Sequence, residues 1–335
     1  MKNKVTIIAE AGVNHNGYLE NAYKLIDIAK NAGADYVKFQ ISKPGGSITK
    51  YAPKAKYQII TTGNEESQYE MGNKLRFTFD EHIMLMDYCK KVGIKYLSSP
   101  FDISAVNFLV QQNIPFWKIA SGEITNYPFL VAMAKYNKEI VMSTGMSSLE
   151  DIENAIDVLT QHGTERNKIT LLQCNTEYPT PMWDVNLKVM QTLKDTFKLP
   201  IGYSDHTLGI EVPIAAVALG ATIIEKHFTL DRNMTGPDHL ASLEPDELFQ
   251  MVKSIRNIEL AIGDGVKRVS LSEINNRDVA RKSIVASGHI KKNEIFSDKN
   301  LTTKRPASGI SPMEWESIIG KKAKRDFEED ELIEL

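Results

Sequence analysis

The run IGYSDHTLGIEVPIAAVALGATIIEKHF, residues 201–228, contains two apolar segments of strand length, IGYSDH and ATIIEKHF, separated by a longer segment. Neither shows the alternation of polar and apolar residues that marks a half-exposed antiparallel strand. Near-continuous apolar strands indicate burial on both faces, which is typical of a parallel sheet. Polar residues end both segments, at Asp205–His206 and Lys226–His227.

The same alternation of short apolar runs and longer amphipathic segments extends towards the N-terminus. Six further runs match the pattern: VTIIAEAG (5–12), ADYVKFQ (34–40), IKYLSSP (94–100), FWKIASG (116–122), EIVMSTG (139–145) and ITLLQC (169–174). A doubly wound open sheet also alternates strands with helices. The count of eight favours a (β/α)8 TIM barrel, so the sequence predicts an α/β fold of this type.

Two of the intervening segments carry clear helix signals. LENAYKLIDIAKNAG (19–33) places four apolar residues on one stripe and ends at Gly33. In SSLEDIENAIDVLTQHG (147–163), Ser148 stands three residues before Asp151, as in a capping box, and Gly163 follows the last turn. Both segments are therefore predicted helices.

The strand–helix rhythm stops after about residue 265. From there the chain has short strand-like pieces separated by Gly, Pro and Asn. We therefore expect a catalytic barrel over residues 1–265, a polar linker over 266–282 and a small separate domain over 283–335.

Charge and cysteine content limit the possible functions. A formal net charge of −3 gives no electrostatic reason to expect a nucleic acid or an anionic membrane as partner. Cys89 and Cys174 do not form a disulfide framework, and no run is long enough for a transmembrane helix. Because Glu10 interrupts the first apolar run, that run does not resemble a signal peptide, and we expect a soluble cytoplasmic protein.

Polar residues follow every predicted strand, and in a β/α barrel these strand ends converge on the mouth where active sites lie. Buried polar and charged groups are costly unless they are paired, so such a set indicates function. The set comprises Glu10, Asn14, His15, Lys38, Gln40, Ser98, Ser99, Lys118, Ser121, Glu123, Ser143, Thr144, Asn175, Thr176, Ser204, Asp205, His206, Glu225, Lys226 and His227.

Two subsets of these residues suggest chemistry. Cationic and hydroxyl groups suit a phosphate and a carboxylate, and they are provided by Lys38, Lys118, Ser121, Ser143 and Ser204. His206 and His227 follow adjacent strands and are a candidate pair of ligands for a divalent metal, with Glu10 or water completing the shell. Glu123 is a candidate for proton transfer.

Each of these interpretations has an alternative. A histidine at a strand end can be purely structural, and Lys38 or Lys118 can instead be the Schiff-base lysine of an aldolase. The Ser-Gly-Glu and Ser-Thr-Gly segments can serve as helix caps. His82, His162 and His289 fall in helical or small-domain segments, and we expect them at the surface.

A series of motifs, read in order, resembles the bacterial sialic acid synthases, a family that includes the legionaminic acid synthases. The motifs are IAEAGVNHNG (8–17), VKFQ (37–40), SSPFD (98–102), KIASGEITNYP (118–128), STGM (143–146), NTEYPTP (175–181), GYSDHT (202–207), EKHFTLD (225–231) and GPDHLAS (236–242). The C-terminal motifs RKSIVA (281–286), NEIFS (293–297), LTTKRP (301–306) and GISPMEW (309–315) resemble the antifreeze-like (SAF) domain of that family.

The resemblance implies roles for individual residues. Catalysis would involve Glu10, Glu123, Lys38 and Lys118, and the metal, most simply Mn²⁺ with Mg²⁺ or Co²⁺ as alternatives, would bind to His206 and His227. Phosphoenolpyruvate would contact Lys38, Ser99, Lys118, Ser121, Ser143, Asn175, Thr176 and Ser204. The sugar would contact Gln40, Tyr178, Asp238 and, from the other subunit of a domain-swapped homodimer, Arg305.

The resemblance also implies a reaction. The expected activity is that of an N-acetylneuraminate synthase, which condenses phosphoenolpyruvate with N-acetylmannosamine, breaks the C–O bond of phosphoenolpyruvate and releases phosphate. The alternative within the family is an N,N′-diacetyllegionaminate synthase that accepts 2,4-diacetamido-2,4,6-trideoxymannose. An alternative of another class is a carbohydrate-binding module on an inactive barrel.

Overall fold

The computed structural model describes residues 4–335, which form two compact units. The first unit ends at Gly263, and the second spans Asp264–Leu335. Each unit has its own hydrophobic core.

Eight parallel strands form the centre of the first unit. They are β1 (Thr6–Gly12), β2 (Tyr36–Ile41), β3 (Lys95–Pro100), β4 (Trp117–Ile119), β5 (Ile140–Ser143), β6 (Ile169–Cys174), β7 (Ile201–Asp205) and β8 (Ile223–His227). The hydrogen-bonded order is β3-β2-β1-β8-β7-β6-β5-β4, and β3 and β4 lie side by side to complete the ring. The predicted (β/α)8 barrel is confirmed.

A helix follows each strand and covers the outside of the barrel. These helices are α1 (Leu19–Ala32), α4 (Phe79–Val92), α5 (Ile103–Gln111), α6 (Tyr127–Ala134), α7 (Leu149–Gln161), α8 (Val189–Phe197), α9 (Glu211–Ala218) and α10 (Pro245–Ala261). No helix among residues 4–335 is long and apolar enough to cross a membrane.

The two helices with clear sequence signals form as expected. Helix α1 buries Ala22, Leu25, Ile26 and Ala29, and Gly33 ends it in the left-handed conformation at φ 83°. Helix α7 begins at the Ser148 capping box, in which the hydroxyl accepts a hydrogen bond from the backbone N–H of Asp151.

The connection between β2 and α4 is much longer than the others. It spans residues 42–78 and carries two short helices, α2 (Lys56–Thr62) and α3 (Gln68–Lys74). Buried Lys54 stabilises this connection, because it donates hydrogen bonds to the Thr62 hydroxyl at 3.0 Å and to the Gly63 carbonyl at 3.1 Å. We call residues 42–78 the β2–α4 insert.

Strand parity separates the inside of the barrel from the layer between strands and helices. Because successive side chains alternate, Glu225 and His227 share one face of β8 and Lys226 takes the other. Lys226 pairs with Asp205 of β7 at 2.6 Å, and both side chains are fully buried. Lys226 also donates to the Thr207 carbonyl, so this ion pair fixes the chain on either side of His206 and next to His227.

The second unit contains one antiparallel pair, β9 (Ser283–Ala286) and β10 (Leu301–Lys304). Its helices are α11 (Ile274–Ala280) and α12 (Trp315–Ile318). The core is built from aliphatic and aromatic side chains, namely Ile284, Ala286, Ile290, Phe296, Leu301, Ile318, Ala323, Phe327 and Ile333.

The buried Lys226–Asp205 pair makes a stability prediction. Lys226→Met leaves an uncompensated carboxylate between strands and helices, so the free energy of unfolding should fall by about 3–5 kcal/mol. Denaturant unfolding followed by circular dichroism measures this loss. Lys74→Met, which removes an exposed ion pair with Glu66, is the matched control and should leave stability nearly unchanged. Equal stability of the two variants would contradict the structural role of the buried pair.

Candidate active site

Four charged side chains form a continuous network inside the barrel mouth. Lys38 Nζ lies 2.8 Å from Glu10 Oε2 and 3.5 Å from Glu225 Oε2. Lys118 Nζ lies 3.4 Å from Glu225 Oε1. All four side chains are buried, so each charge depends on the others for compensation.

Hydroxyl groups surround the network. Lys38 donates to Ser99 Oγ at 3.0 Å, and Lys118 donates to Ser143 Oγ at 2.7 Å. Ser204 donates to Glu225 Oε1 at 3.0 Å. The site thus presents ammonium groups and hydroxyls to one space, which suits an anionic ligand.

The register of the barrel strands explains why these residues meet. Glu10 lies opposite Lys38 on β2 and opposite His227 on β8. Ser204 on β7 lies opposite Glu225. The polar strand ends converge because the parallel strands are in register at the mouth.

The pKa values of the four groups shift in different directions, because burial and the neighbouring charges act differently on each. Burial alone would raise the pKa of Glu225, but Lys118 and Lys38 hold it below its ordinary value. Burial raises the pKa of Glu10 in spite of Lys38. Burial alone would lower the pKa of Lys38, but Glu10 and Glu225 raise it.

Lys118 behaves differently from Lys38. Burial lowers the pKa of Lys118, and the attraction of Glu225 offsets only part of this effect. The positive charge of Lys118 is therefore the less well compensated of the two, and an incoming anion would stabilise it.

The predicted histidine pair lies beside this network, with ring centroids 5.3 Å apart. His206 Nδ1 is 2.5 Å from the Asn175 carbonyl, which can only accept, so Nδ1 carries the proton and Nε2 carries the lone pair. That lone pair faces the Tyr178 hydroxyl at 2.9 Å. The Nδ1 atom of His227 is buried without a hydrogen-bond partner, and Asp238 Oδ2 lies 3.9 Å away.

The chemistry of this pair fits a divalent metal. Burial lowers the pKa of His206 to about 4 and that of His227 well below its ordinary value, so both rings are neutral at pH 7. Neutral imidazole is the form that binds metals. Within residues 4–335 no three His, Cys, Asp or Glu side chains are grouped as metal ligands.

Most predicted site residues line one chamber of about 460 Å³ at the barrel mouth. They are Glu10, Lys38, Gln40, Ser99, Lys118, Ser121, Ser143, Thr176, Tyr178, Ser204, His206 and His227. Glu225 and Cys174 also line this chamber.

Four of the residues that were given a catalytic or substrate-binding role lie elsewhere. Glu123 and Asp238 line an adjoining cavity of about 300 Å³, here called the side pocket. The side-chain oxygen of Asn175 accepts hydrogen bonds from the Glu177 backbone and the Thr180 hydroxyl, so this side chain belongs to its own loop. Arg305 follows β10 in the second unit and is exposed.

One expectation about the histidines is wrong. His82 is fully buried in α4, where its Nδ1 lies 2.7 Å from the Tyr96 hydroxyl and burial lowers its pKa to about 3. Its spacing with the buried Leu85 and Cys89 is the helical signal that could have placed it in the core.

Glu225, which joins both lysines, had no role among the strand-end residues predicted from the motifs. Side chains alternate between the two faces of a strand, so the sequence EKH (225–227) places Glu225 on the same face as His227 and could have indicated its role.

A β/α barrel whose mouth holds paired lysines and carboxylates beside two neutral imidazoles defines a class of enzymes that act on anionic substrates. The chain belongs to the NeuB family, whose model matches residues 25–267. The SAF domain matches residues 281–334. The family resemblance drawn from the motifs and the C-terminal SAF domain are therefore confirmed.

Individual relatives cover almost the whole chain. An N,N′-diacetyllegionaminic acid synthase of Campylobacter jejuni is 56% identical over 98% of this chain and 99% of the relative. A second N,N′-diacetyllegionaminic acid synthase, from Legionella pneumophila, is 43% identical over 94% of this chain and 89% of the relative. The crystal structure of an N-acetylneuraminic acid (sialic acid) synthetase from Leptospira borgpetersenii has a TM-score of 0.70 and 35% identity, covering 82% of this chain and 90% of that chain.

The position of Glu225 between the lysines gives a testable expectation. Glu225→Gln should lower the melting temperature of the ligand-free protein by about 5–10 °C, because two buried ammonium groups lose their shared counter-ion. Phosphoenolpyruvate should then raise the melting temperature more in the variant than in the unchanged protein, since no carboxylate competes for the lysines. Thermal unfolding with and without the ligand measures both effects.

Glu153→Gln on the exposed face of α7 is the control, and it should match the unchanged protein in both measurements. A Glu225→Gln variant with the same melting temperature and the same ligand response would contradict the proposed pairing.

Proposed function

We propose that this protein is an N,N′-diacetyllegionaminate synthase, which condenses phosphoenolpyruvate with 2,4-diacetamido-2,4,6-trideoxymannose and releases phosphate. The observation that carries the choice of sugar is the 56% identity with an N,N′-diacetyllegionaminic acid synthase over nearly the full length of both chains. This supports the alternative of the sequence analysis over its first expectation, N-acetylneuraminate synthase.

The chamber supports phosphoenolpyruvate as the first substrate. Lys38 and Lys118 offer two fixed ammonium groups, and Ser99 and Ser143 already hydrogen-bond to them. Fixed charges of this kind stabilise a phosphate and a carboxylate throughout the reaction without reorganisation. Further hydroxyl groups in the same chamber come from Ser121, Ser204 and Thr176.

His206 and His227 would hold the divalent metal, for which we propose Mn²⁺, with Mg²⁺ or Co²⁺ as alternatives. A bound cation would supply Lewis acidity towards the aldehyde oxygen of the open-chain sugar. The Asn175 carbonyl accepts a hydrogen bond from His206 Nδ1, so Nε2 would be the ligand atom.

The remaining residues would position the sugar and handle protons. Glu10, whose pKa is raised by burial, is the candidate to direct a proton or the attacking water. Glu123 has a pKa raised by burial, accepts a hydrogen bond from Asn126 and lies in the side pocket, away from the lysines. Gln40 and Tyr178 line both cavities and so can contact the sugar along its length.

We further propose a homodimer, in which Arg305 of one subunit reaches the sugar bound by the other, as the family likeness implies. Large apolar side chains on the loops that follow β2, β5 and β6 are exposed around the mouth, as a subunit contact requires: Tyr51, Met146, Met182 and Trp183. The protein would work in the cytoplasm, where its two free cysteines stay reduced.

Phosphate release by the purified protein tests the function. With Mn²⁺ and phosphoenolpyruvate, kcat/KM for 2,4-diacetamido-2,4,6-trideoxymannose should exceed that for N-acetylmannosamine by at least about tenfold, the discrimination that one recognised substituent can supply. A chelator should abolish turnover, and added Mn²⁺ should restore it.

Lys118→Met should remove this activity, whereas Lys95→Met, at the opposite end of the barrel, should retain it. A preference for N-acetylmannosamine would return the assignment to an N-acetylneuraminate synthase. Turnover that persists in the chelator would refute the metal.

A further inference from the structure

The side pocket adjoins the reaction chamber. Several residues line both cavities: Gln40, Tyr57, Gln58, Gln68, Phe101 and Tyr178. The lysines and histidines line only the chamber. Substrate atoms in the side pocket would therefore lie beyond the reacting end of the sugar.

The β2–α4 insert forms the outer wall of the side pocket. It contributes two amide side chains, Gln58 from α2 and Gln68 from α3, and the apolar side chain of Met71. The insert is the part of the barrel that does not follow from the strand–helix repeat, and it carries none of the lysines and histidines of the chamber, so it can change while those groups stay in place.

The two amides are held close together. Gln68 Nε2 donates to Gln58 Oε1 at 3.5 Å, and the backbone N–H of Ala55 donates to the same oxygen at 3.0 Å. Tyr57, the neighbour of Gln58 in the chain, also lines the pocket. In the part of the chain that the structure describes, Gln68 Oε1 has no hydrogen-bond partner and is free to accept.

This arrangement matches an acylamino substituent. Such a group needs an acceptor for its N–H, a donor for its carbonyl and an apolar surface for its methyl. Gln68 Oε1 provides the acceptor, Gln58 Nε2 and the Tyr57 hydroxyl provide donors, and Met71 with Ile48 and Leu75 provides the apolar surface.

The charges of the pocket argue against a phosphate in this position. Arg76 lies in the pocket, but its guanidinium already donates to the Ser47 hydroxyl at 2.7 Å and to the Lys43 carbonyl at 3.4 Å. The carboxyl groups of Glu123 and Asp238 line the same space. A phosphate would face two carboxyl groups and one committed guanidinium, whereas a neutral amide would meet no such repulsion.

We propose that the side pocket binds the second acylamino group of the aldose, the one that N-acetylmannosamine lacks, and that Gln58 and Gln68 determine specificity for it. This inference rests on the proposed function and assigns its sugar selectivity to particular residues. Met71, Ile48 and Leu75 form the wall against the methyl of that acyl group.

Two variants isolate the amide contacts. Gln68→Leu removes the free acceptor, and Gln58→Glu keeps the oxygen that caps α2 at Ala55 but removes the NH₂ donor. The test substrates are 2,4-diacetamido-2,4,6-trideoxymannose and 2-acetamido-2,6-dideoxymannose, which differ only in the acetamido or hydroxyl group at C4. Gln161→Leu on the exposed end of α7 is the matched control.

Each variant should lower kcat/KM for the diacetamido sugar by about 10- to 100-fold, because the C4 acetamido group of that sugar is then left without a hydrogen-bond partner. The 4-hydroxy sugar has no such group, so its kcat/KM should change by less than about threefold. The phosphoenolpyruvate-induced rise in melting temperature should persist, which shows that each variant is folded and that its chamber is intact. The control should keep both rates.

Results that contradict the side-pocket assignment can be distinguished from results that contradict the proposed function. Equal losses for both sugars, or no loss, would overturn the side-pocket assignment while leaving the synthase activity of the unchanged protein in place. Faster turnover of N-acetylmannosamine 6-phosphate than of the diacetamido sugar would overturn it in favour of a phosphate at Arg76. Absence of turnover of any of these sugars by the unchanged protein would overturn both this assignment and the proposed function.

Discussion

The structure depends on one interaction, the carboxylate of Glu225 held between the ammonium groups of Lys38 and Lys118. With Glu10 on the far side of Lys38, two positive and two negative charges are buried in the barrel mouth and compensate one another. Burying such charges rarely adds stability compared with apolar packing, so their presence indicates a functional requirement. The network keeps two lysines in place and charged until an anion arrives.

The electrostatics of the network also bear on the Schiff-base alternative. Lys38 is a poor nucleophile because two carboxylates raise its pKa. Burial lowers the pKa of Lys118, which brings it closer to the neutral amine. Its Nζ nevertheless lies 2.7 Å from Ser143 Oγ and 3.4 Å from Glu225 Oε1. These contacts favour two cationic lysines over a covalent catalyst, in agreement with the anion binding proposed for both.

The sequence predicts some parts of the fold and the site and leaves others open. The eight apolar runs and their polar ends predicted the barrel, its mouth and most of the chamber. Parallel strands bring their C-terminal residues together independently of the conformation of the loops. Glu225 was predicted at the mouth but was given no role, although strand alternation placed it on the same face as His227. Asn175 and Glu123 could not be placed, because loop geometry decides which way a side chain turns after a strand. The side pocket was also unpredicted, since the insert after β2 follows neither strand nor helix periodicity.

We propose that phosphoenolpyruvate loses its phosphate by cleavage of its C–O bond after the new C–C bond has formed. The most direct measurement uses phosphoenolpyruvate labelled with ¹⁸O at the oxygen that bridges carbon and phosphorus, with mass analysis of the phosphate released during turnover of the diacetamido sugar. If the C–O bond is cleaved, the released phosphate carries the label. Unlabelled phosphate that has taken an oxygen from solvent would contradict it.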